Sequence, residues 1–128
     1  MSQVLLIESD RLIANNLIEV LQKAGFEVNW QVDPQAALDI ADSGPPGVIV
    51  IDLVLAGRGG IEFLYEFRSY PDWRDIPVVV FSSLSVEELK EVIWGFEHLN
   101  VIEYHYKPNT TLADLARTIS RILQPASA

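Results

Sequence analysis

Side chains that could carry phosphoryl chemistry follow the apolar segments of this sequence. Glu8 and Asp10 follow the first segment, Asp52 the second and Ser82 the third, and Lys107 follows a more mixed stretch. Carboxylates bind hard divalent cations, and a carboxylate can act as a nucleophile toward phosphorus. Asp52 would be that nucleophile, the cation and Lys107 would offset charge on the transferring oxygens, and a hydroxyl would hold one of them. This chemistry requires that the fold bring these residues together.

The segments that precede these residues are typical of buried parallel strands. Val4–Ile7, Val48–Ile51 and Val78–Phe81 are unbroken apolar runs, rich in β-branched residues and too short for helices. Phe26–Val32 alternates between apolar and polar residues, as an edge strand does, and the mixed stretch Val101–Tyr106 is predicted to form the other edge. We therefore expect five strands, with the second and the fifth at the two edges of the sheet.

Helical periodicity fills the sequence between and after these strands. Gly25 and Asn100 are predicted to end the first and fourth helices, Asp33 to begin the second, Ser85 to begin the fourth and Pro71 to end the third. Strands that alternate with helices predict parallel pairing through right-handed crossovers. The expected fold is a doubly wound, three-layer α/β sandwich. In such a fold the carboxyl ends of the strands form the ligand-binding edge.

Length and charge narrow the range of functions. The chain has 128 residues, no cysteine and a formal net charge of −9. We expect a single domain over residues 1–124 with a frayed tail at 125–128. The acidic balance disfavours direct binding to nucleic acid or to anionic membranes, and the absence of cysteine excludes thiol catalysis. Without a signal-peptide pattern or an apolar run of spanning length, the expected location is the cytoplasm.

The segment around Asp52 and three positions elsewhere resemble the receiver domain of two-component response regulators. Residues 52–60, Asp-Leu-Val-Leu-Ala-Gly-Arg-Gly-Gly, resemble the family's phosphoacceptor segment, Asp-x-x-x-Pro-x-x-Asp-Gly. Ser82 falls on the family's hydroxyl position, Lys107-Pro108 on its Lys-Pro pair, and Tyr104 on its aromatic switch position. The resemblance extends from Val4 to about Leu123. It implies a flavodoxin-like receiver fold with the strand order 2-1-3-4-5, as in single-domain chemotaxis regulators.

The resemblance assigns roles to individual residues. It implies that Asp52 accepts a phosphoryl group from a histidine kinase, a phosphotransfer protein or a small phosphodonor, while Ser82 and Lys107 bind the phosphoryl oxygens. Mg²⁺ would be held by Glu8, Asp52 and the main-chain carbonyl of Val54, and a cis peptide is expected at Lys107–Pro108. Such a protein is a signalling protein, with only self-phosphotransfer and autodephosphorylation chemistry, and not a metabolic enzyme.

The first strand departs from the family pattern. Two adjacent acids are usual there, and here they align with Glu8 and Ser9. A hydroxyl in place of a carboxylate weakens Mg²⁺ binding. Asp10 is an alternative ligand, although its position also fits the N-cap of the first helix. Two hypotheses follow: a stand-alone receiver that signals through phosphorylation-dependent partner binding, or a pseudo-receiver that binds partners without Mg²⁺-dependent phosphorylation.

An aromatic pair marks a candidate partner face. Trp94 falls outside the apolar stripe of the fourth helix, and tryptophan is enriched at interface hot spots. In receivers the face formed by helix 4, strand 5 and helix 5 commonly carries dimer or effector contacts. We therefore predict that Trp94 and Tyr104 mark a surface for a downstream protein effector or for a homodimer.

Overall fold

A computed structural model describes residues 3–55, 59–92 and 99–123 and contains a five-stranded parallel sheet. The strands are β1 (Gln3–Ile7), β2 (Glu27–Gln31), β3 (Val48–Ile51), β4 (Val78–Ser82) and β5 (Val101–Tyr106). The helices are α1 (Arg11–Lys23), α2 (Pro34–Ser43), α3 (Gly60–Arg68), α4 (Val86–Val92) and α5 (Leu112–Leu123). The strand order β2-β1-β3-β4-β5 confirms the predicted doubly wound fold.

The sheet separates two hydrophobic cores. Successive residues of a strand point to opposite faces, so Leu5 and Ile7 pack in the core with α2 and α3, while Val4 and Leu6 pack in the core with α1 and α5. Both faces of β1, β3 and β4 are therefore buried, which explains their uninterrupted apolar sequences. None of the helices among the described residues is long and apolar enough to cross a membrane.

Several predicted helix ends are confirmed, and the end of α3 is not. Gly25 (φ 94°) adopts the left-handed conformation just after α1, as predicted. Asn100 (φ 53°) is also left-handed, but α4 is described only as far as Val92, so the predicted end of the fourth helix lies outside the described residues. The Ser85 and Glu88 side chains exchange hydrogen bonds with each other's main-chain N–H groups, as a capping box requires. α3 ends at Arg68, earlier than predicted, because Pro71 restricts the preceding residue to an extended conformation and begins a 3-10 turn of its own.

The expected cis peptide at Lys107–Pro108 is wrong. Within the described residues every peptide bond is trans. β5 continues directly into a 3-10 turn at Lys107–Asn109, in which the Thr110 N–H donates to the Lys107 carbonyl. Proline fits this turn as a trans residue because its fixed φ matches the first turn of a helix. The predicted partner-face residue Trp94 lies outside the described residues.

Candidate functional site

Three of the predicted residues meet at the carboxyl edge of the sheet. The Lys107 Nζ lies 2.7 Å from Asp52 Oδ2, and 3.0 Å and 3.1 Å from the two carboxylate oxygens of Glu8. The side chains of Glu8, Asp52 and Lys107 are 1%, 5% and 15% exposed. We call these three residues the acidic site. They come from β1, β3 and the end of β5, so the fold alone brings them together.

Asp52 is held by the main chain around it. Its N–H donates to the carbonyl of Ile7 on the neighbouring strand at 3.0 Å, which continues the sheet pairing one residue beyond β3. Its Oδ1 accepts from the Val54 N–H at 2.9 Å, while Oδ2 accepts from Lys107. Each carboxylate oxygen therefore has a fixed donor, and the carboxylate is oriented before any ligand arrives.

Glu8 is fixed through both its main chain and its side chain. Its N–H donates to the Gln31 carbonyl of β2 at 3.2 Å, and its carbonyl accepts from the Trp30 indole Nε1 at 2.8 Å. Its carboxylate accepts from the Asp10 N–H at 3.0 Å and from Lys107. Sequence reasoning missed Trp30. The only signal was its inward position in the alternating pattern of the edge strand.

Burial and hydrogen bonding have opposite effects on the pKa values of Glu8 and Lys107. Burial raises the pKa of Glu8, and the Asp10 N–H together with Lys107 counteracts part of that rise. Burial alone would lower the pKa of Lys107, but its hydrogen bonds to Asp52 and Glu8 hold that pKa above its ordinary value. Lys107 therefore stays protonated at neutral pH and serves as the counter-ion of both carboxylates.

Ser82 and Tyr104 adjoin the acidic site on its β4–β5 side. Ser82 is fully buried at the end of β4, and its Oγ accepts from the Leu84 N–H at 3.3 Å. The Tyr104 hydroxyl donates to the Leu84 carbonyl, so its side chain is held against the loop that follows β4. Burial raises the pKa of Tyr104, and a hydrogen bond with Ser82 acts in the opposite direction. The predicted hydroxyl and aromatic residues thus both bind the main chain of Leu84 in the loop after β4.

The two residues that follow Glu8, Ser9 and Asp10, are exposed. Asp10 caps α1, with its Oδ1 accepting from the Ile13 N–H at 3.1 Å.

Among the described residues no group of three or more His, Cys, Asp or Glu side chains has a metal-binding arrangement. Mg²⁺ commonly binds through one or two carboxylates and keeps several waters. Glu8 and Asp52 therefore fit a hydrated Mg²⁺ ion, with one carboxylate fewer than the usual receiver pattern supplies.

Comparison with protein families identifies the class of this domain. The family described as response regulator receiver domain matches residues 4–115. The chain belongs to this family, whose members are signalling domains of two-component systems. Receiver domains generally bind Mg²⁺ for phosphorylation and interact with histidine kinases or phosphotransfer proteins and with effectors.

Relatives and solved structures agree with this assignment. The chain is 32% identical over 122 residues to the transcriptional regulatory protein QseB of Haemophilus influenzae, covering 95% of this chain and 52% of that protein. The Mn²⁺-bound form of response regulator Rcp1 is 28% identical with a TM-score of 0.79, covering 99% of this chain and 98% of that one.

The chemotaxis protein CheY4 of Vibrio cholerae is 24% identical with a TM-score of 0.83 and shares the fold, covering 96% of this chain and 99% of that one. The chain spans about half the length of QseB, and 36% of a protein-glutamate methylesterase of Anaeromyxobacter dehalogenans that is 28% identical over 98% of this chain.

Proposed function

We propose that this chain is a receiver that accepts a phosphoryl group on Asp52 and signals by phosphorylation-dependent binding of a partner. The observation that carries the proposal is the largely buried ammonium of Lys107 between Asp52 and Glu8. A lysine in this place neutralises the carboxylates before the reaction and can follow the added negative charge afterwards. The receiver unit is proposed to comprise residues 1–124, with 125–128 as a tail.

The proposed reaction is a transfer between a phosphohistidine and Asp52. A carboxylate oxygen of Asp52 attacks phosphorus, an O–P bond forms as the donor's N–P bond breaks, and the leaving imidazole keeps that electron pair and is protonated. Water later cleaves the acyl phosphate, which restores the carboxylate and releases inorganic phosphate. Lys107 and the Ser82 hydroxyl are proposed to bind the phosphoryl oxygens.

Glu8, Asp52 and the Val54 carbonyl are the residues proposed to hold Mg²⁺. When bound, the cation would neutralise charge on the transferring phosphoryl oxygens. Asp10 is left out of this ligand set because its carboxylate caps α1. Support also comes from Rcp1, a relative described in a Mn²⁺-bound form.

The proposed donors are a histidine kinase, a phosphotransfer protein or a small phosphodonor, and the proposed output is binding of a protein effector in the cytoplasm. Contact through the face of α4, β5 and α5, as an effector site or a homodimer, remains part of the proposal together with Trp94 and Tyr104. The relative QseB is named as a transcriptional regulator and is about twice as long. A stand-alone role for the present chain therefore stays a prediction.

The alternative is a pseudo-receiver that binds partners without Mg²⁺-dependent phosphorylation. The observation in its favour is that Ser9 is exposed and Asp10 is engaged as a helix cap, which leaves Glu8 as the one buried acid at the end of β1. In this reading Lys107 alone would balance the charge of the two buried carboxylates.

Intact-protein mass spectrometry separates the two functions. The chain is incubated with Mg²⁺ and a small phosphodonor, with the Asp52→Asn variant as control. One phosphoryl adduct on the wild type that is absent from the control is the expected result. If the wild type gains no adduct from the small donor or from a panel of phosphorylated histidine kinases, while Ser9→Asp gains one, the pseudo-receiver is the better description.

A further inference from the structure

A side chain of strand β2, that of Trp30, contacts the main chain of the acidic site. β2 is an edge strand that pairs with β1, with Trp30 opposite Leu6. Trp30 is half-buried and packs on the core that α1 and α5 share, while its indole Nε1 donates to the Glu8 carbonyl at 2.8 Å. Glu8 lies one residue beyond the last paired residue of β1, where the chain turns toward α1.

The indole bond completes the fixation of the Glu8 main chain. The N–H of Glu8 is already bound to Gln31 of β2, so both peptide groups that flank this residue are held by the same strand. A main chain held at both groups limits the directions that the Glu8 side chain can take. That side chain in turn accepts from the Asp10 N–H and from Lys107.

Fixation of Glu8 matters more here than in a site with an additional buried acid. Ser9 carries no carboxylate and Asp10 caps α1, so the contribution of the β1 end to the acidic site rests on one side chain. Groups that orient a metal ligand typically change metal affinity by about ten- to a hundred-fold when they are lost. A neutral hydrogen bond to a main-chain carbonyl is at the weak end of that range.

We propose that Trp30 is a positioning residue of the acidic site, which fixes the Glu8 carboxylate toward Lys107 and Asp52 through its hydrogen bond to the Glu8 carbonyl. The part of this inference that concerns Mg²⁺ rests on the proposed function. The part that concerns the orientation of Glu8 is independent of the proposed function, because it follows from hydrogen bonds within the chain.

The test compares two tryptophan-to-phenylalanine variants. Trp30→Phe removes the indole donor but keeps an aromatic ring, and Trp73→Phe makes the same change in the core on the opposite face of the sheet. Two quantities are measured: hydrogen exchange of the Asp10 amide, which is bound to the Glu8 carboxylate, and Mg²⁺ affinity by calorimetry. Unfolding curves show whether either variant has lost stability overall.

For Trp30→Phe we expect the Asp10 amide to exchange about three- to ten-fold faster and Mg²⁺ to bind more weakly by a similar factor. Trp73→Phe should leave both quantities unchanged. Wild-type values for both quantities in Trp30→Phe would overturn the inference. If the wild type binds no Mg²⁺, the metal site of the proposed function fails, and the Asp10 amide still decides the role of Trp30.

A second measurement covers the case in which Trp30→Phe does not fold. In the wild type, the indole N–H of Trp30 should be protected from exchange with solvent, because it is bound to Glu8. Exchange at the rate of a free indole in the folded wild-type protein would contradict the inference without any substitution.

Discussion

Gly60 lies directly against the main chain of Asp52. A Cβ at Gly60 would stand 2.5 Å from the Asp52 carbonyl oxygen and 2.8 Å from the Leu53 Cα. The Gly60 N–H also donates to the Leu53 carbonyl at 3.2 Å. The start of α3 is therefore packed against the end of β3 with no space for a side chain, and this contact sets the position of Asp52.

Gly60→Ala should destabilise the fold and displace Asp52. The added methyl group forces α3 away from β3, and overpacking of this kind costs about 1–3 kcal/mol in the free energy of unfolding. Gly44→Ala is the matched control, since a Cβ there meets nothing within 4 Å and the backbone is extended. Chemical denaturation measures both variants. Equal stability of Gly60→Ala and Gly44→Ala would show that the contact is not restrictive.

Lys107→Met should destabilise the protein because it leaves two buried carboxylates without a counter-ion. Removal of one partner from a buried ion pair costs about 3–5 kcal/mol, and the slight exposure of Lys107 favours the low end of that range. Millimolar Mg²⁺ should restore part of the lost stability. The comparison is Lys23→Met, which removes an exposed pairing with Glu19 and should cost less than about 0.5 kcal/mol.

Thermal unfolding with and without Mg²⁺ measures the effect of Lys107→Met. A loss no larger than that of Lys23→Met would mean that the carboxylates of the acidic site are neutralised in another way.

Ser9→Asp should tighten Mg²⁺ binding. The substitution adds an anionic oxygen ligand next to Glu8, at the position where the family usually has its second acid. We expect an increase in affinity of about tenfold, which corresponds to about 1.4 kcal/mol of binding free energy. Ser43→Asp adds the same charge at the end of α2, where the chain turns toward the opposite edge of the sheet, and controls for a general electrostatic effect. Calorimetric titration that gives equal affinity for Ser9→Asp and the wild type would refute this prediction.

His105 should make the stability of the fold depend on pH. Its Nε2 lies 3.0 Å from the Thr118 hydroxyl and 3.2 Å from Glu103 Oε1. Burial lowers the pKa of His105 below its ordinary value of 6.5, and Asp114 offsets part of that shift. The unfolded chain therefore binds a proton first as the pH falls, so the stability associated with neutral His105 is complete above about pH 6.5 and is lost below it.

The test of His105 compares how steeply the free energy of unfolding changes with pH in two proteins, and not its absolute value. His105→Gln also changes local hydrogen bonds and can shift the absolute value at every pH. The free energy of unfolding should fall less steeply in His105→Gln than in the wild type between about pH 7 and pH 5. His98→Gln removes the other histidine and serves as the control. Parallel curves for the wild type and His105→Gln would contradict the predicted shift.

Local sequence signals were sufficient for the sheet and for most helix ends. The buried strands needed only their apolar runs, because both faces of each are covered. The convergence of Glu8, Asp52 and Lys107 followed from the topology, since the carboxyl ends of parallel strands share one edge. These features depend on residues close in sequence or on a general rule of the fold.

Contacts between segments that are distant in sequence could not be predicted from local sequence signals. Arg68 ends α3 and would be interpreted as a favourable charge at a helix C-terminus. In the structure its guanidinium donates to main-chain carbonyls of Trp73, Ile76 and Leu99, and so ties two loops to α3. The bond from Trp30 to Glu8 similarly depends on the register of β1 and β2. No local pattern specifies either partner.

Chemical mapping of the phosphoryl group tests the central claim most directly. Borohydride reduces an aspartyl phosphate to homoserine, so the phosphorylated chain is reduced, digested and sequenced by tandem mass spectrometry. We predict homoserine at position 52 in the sample treated with Mg²⁺ and a phosphodonor, and unmodified Asp52 when Mg²⁺ is withheld. Homoserine at another aspartate, or none after treatment with small donors and phosphorylated kinases alike, would contradict the assignment of Asp52 as the phosphoacceptor.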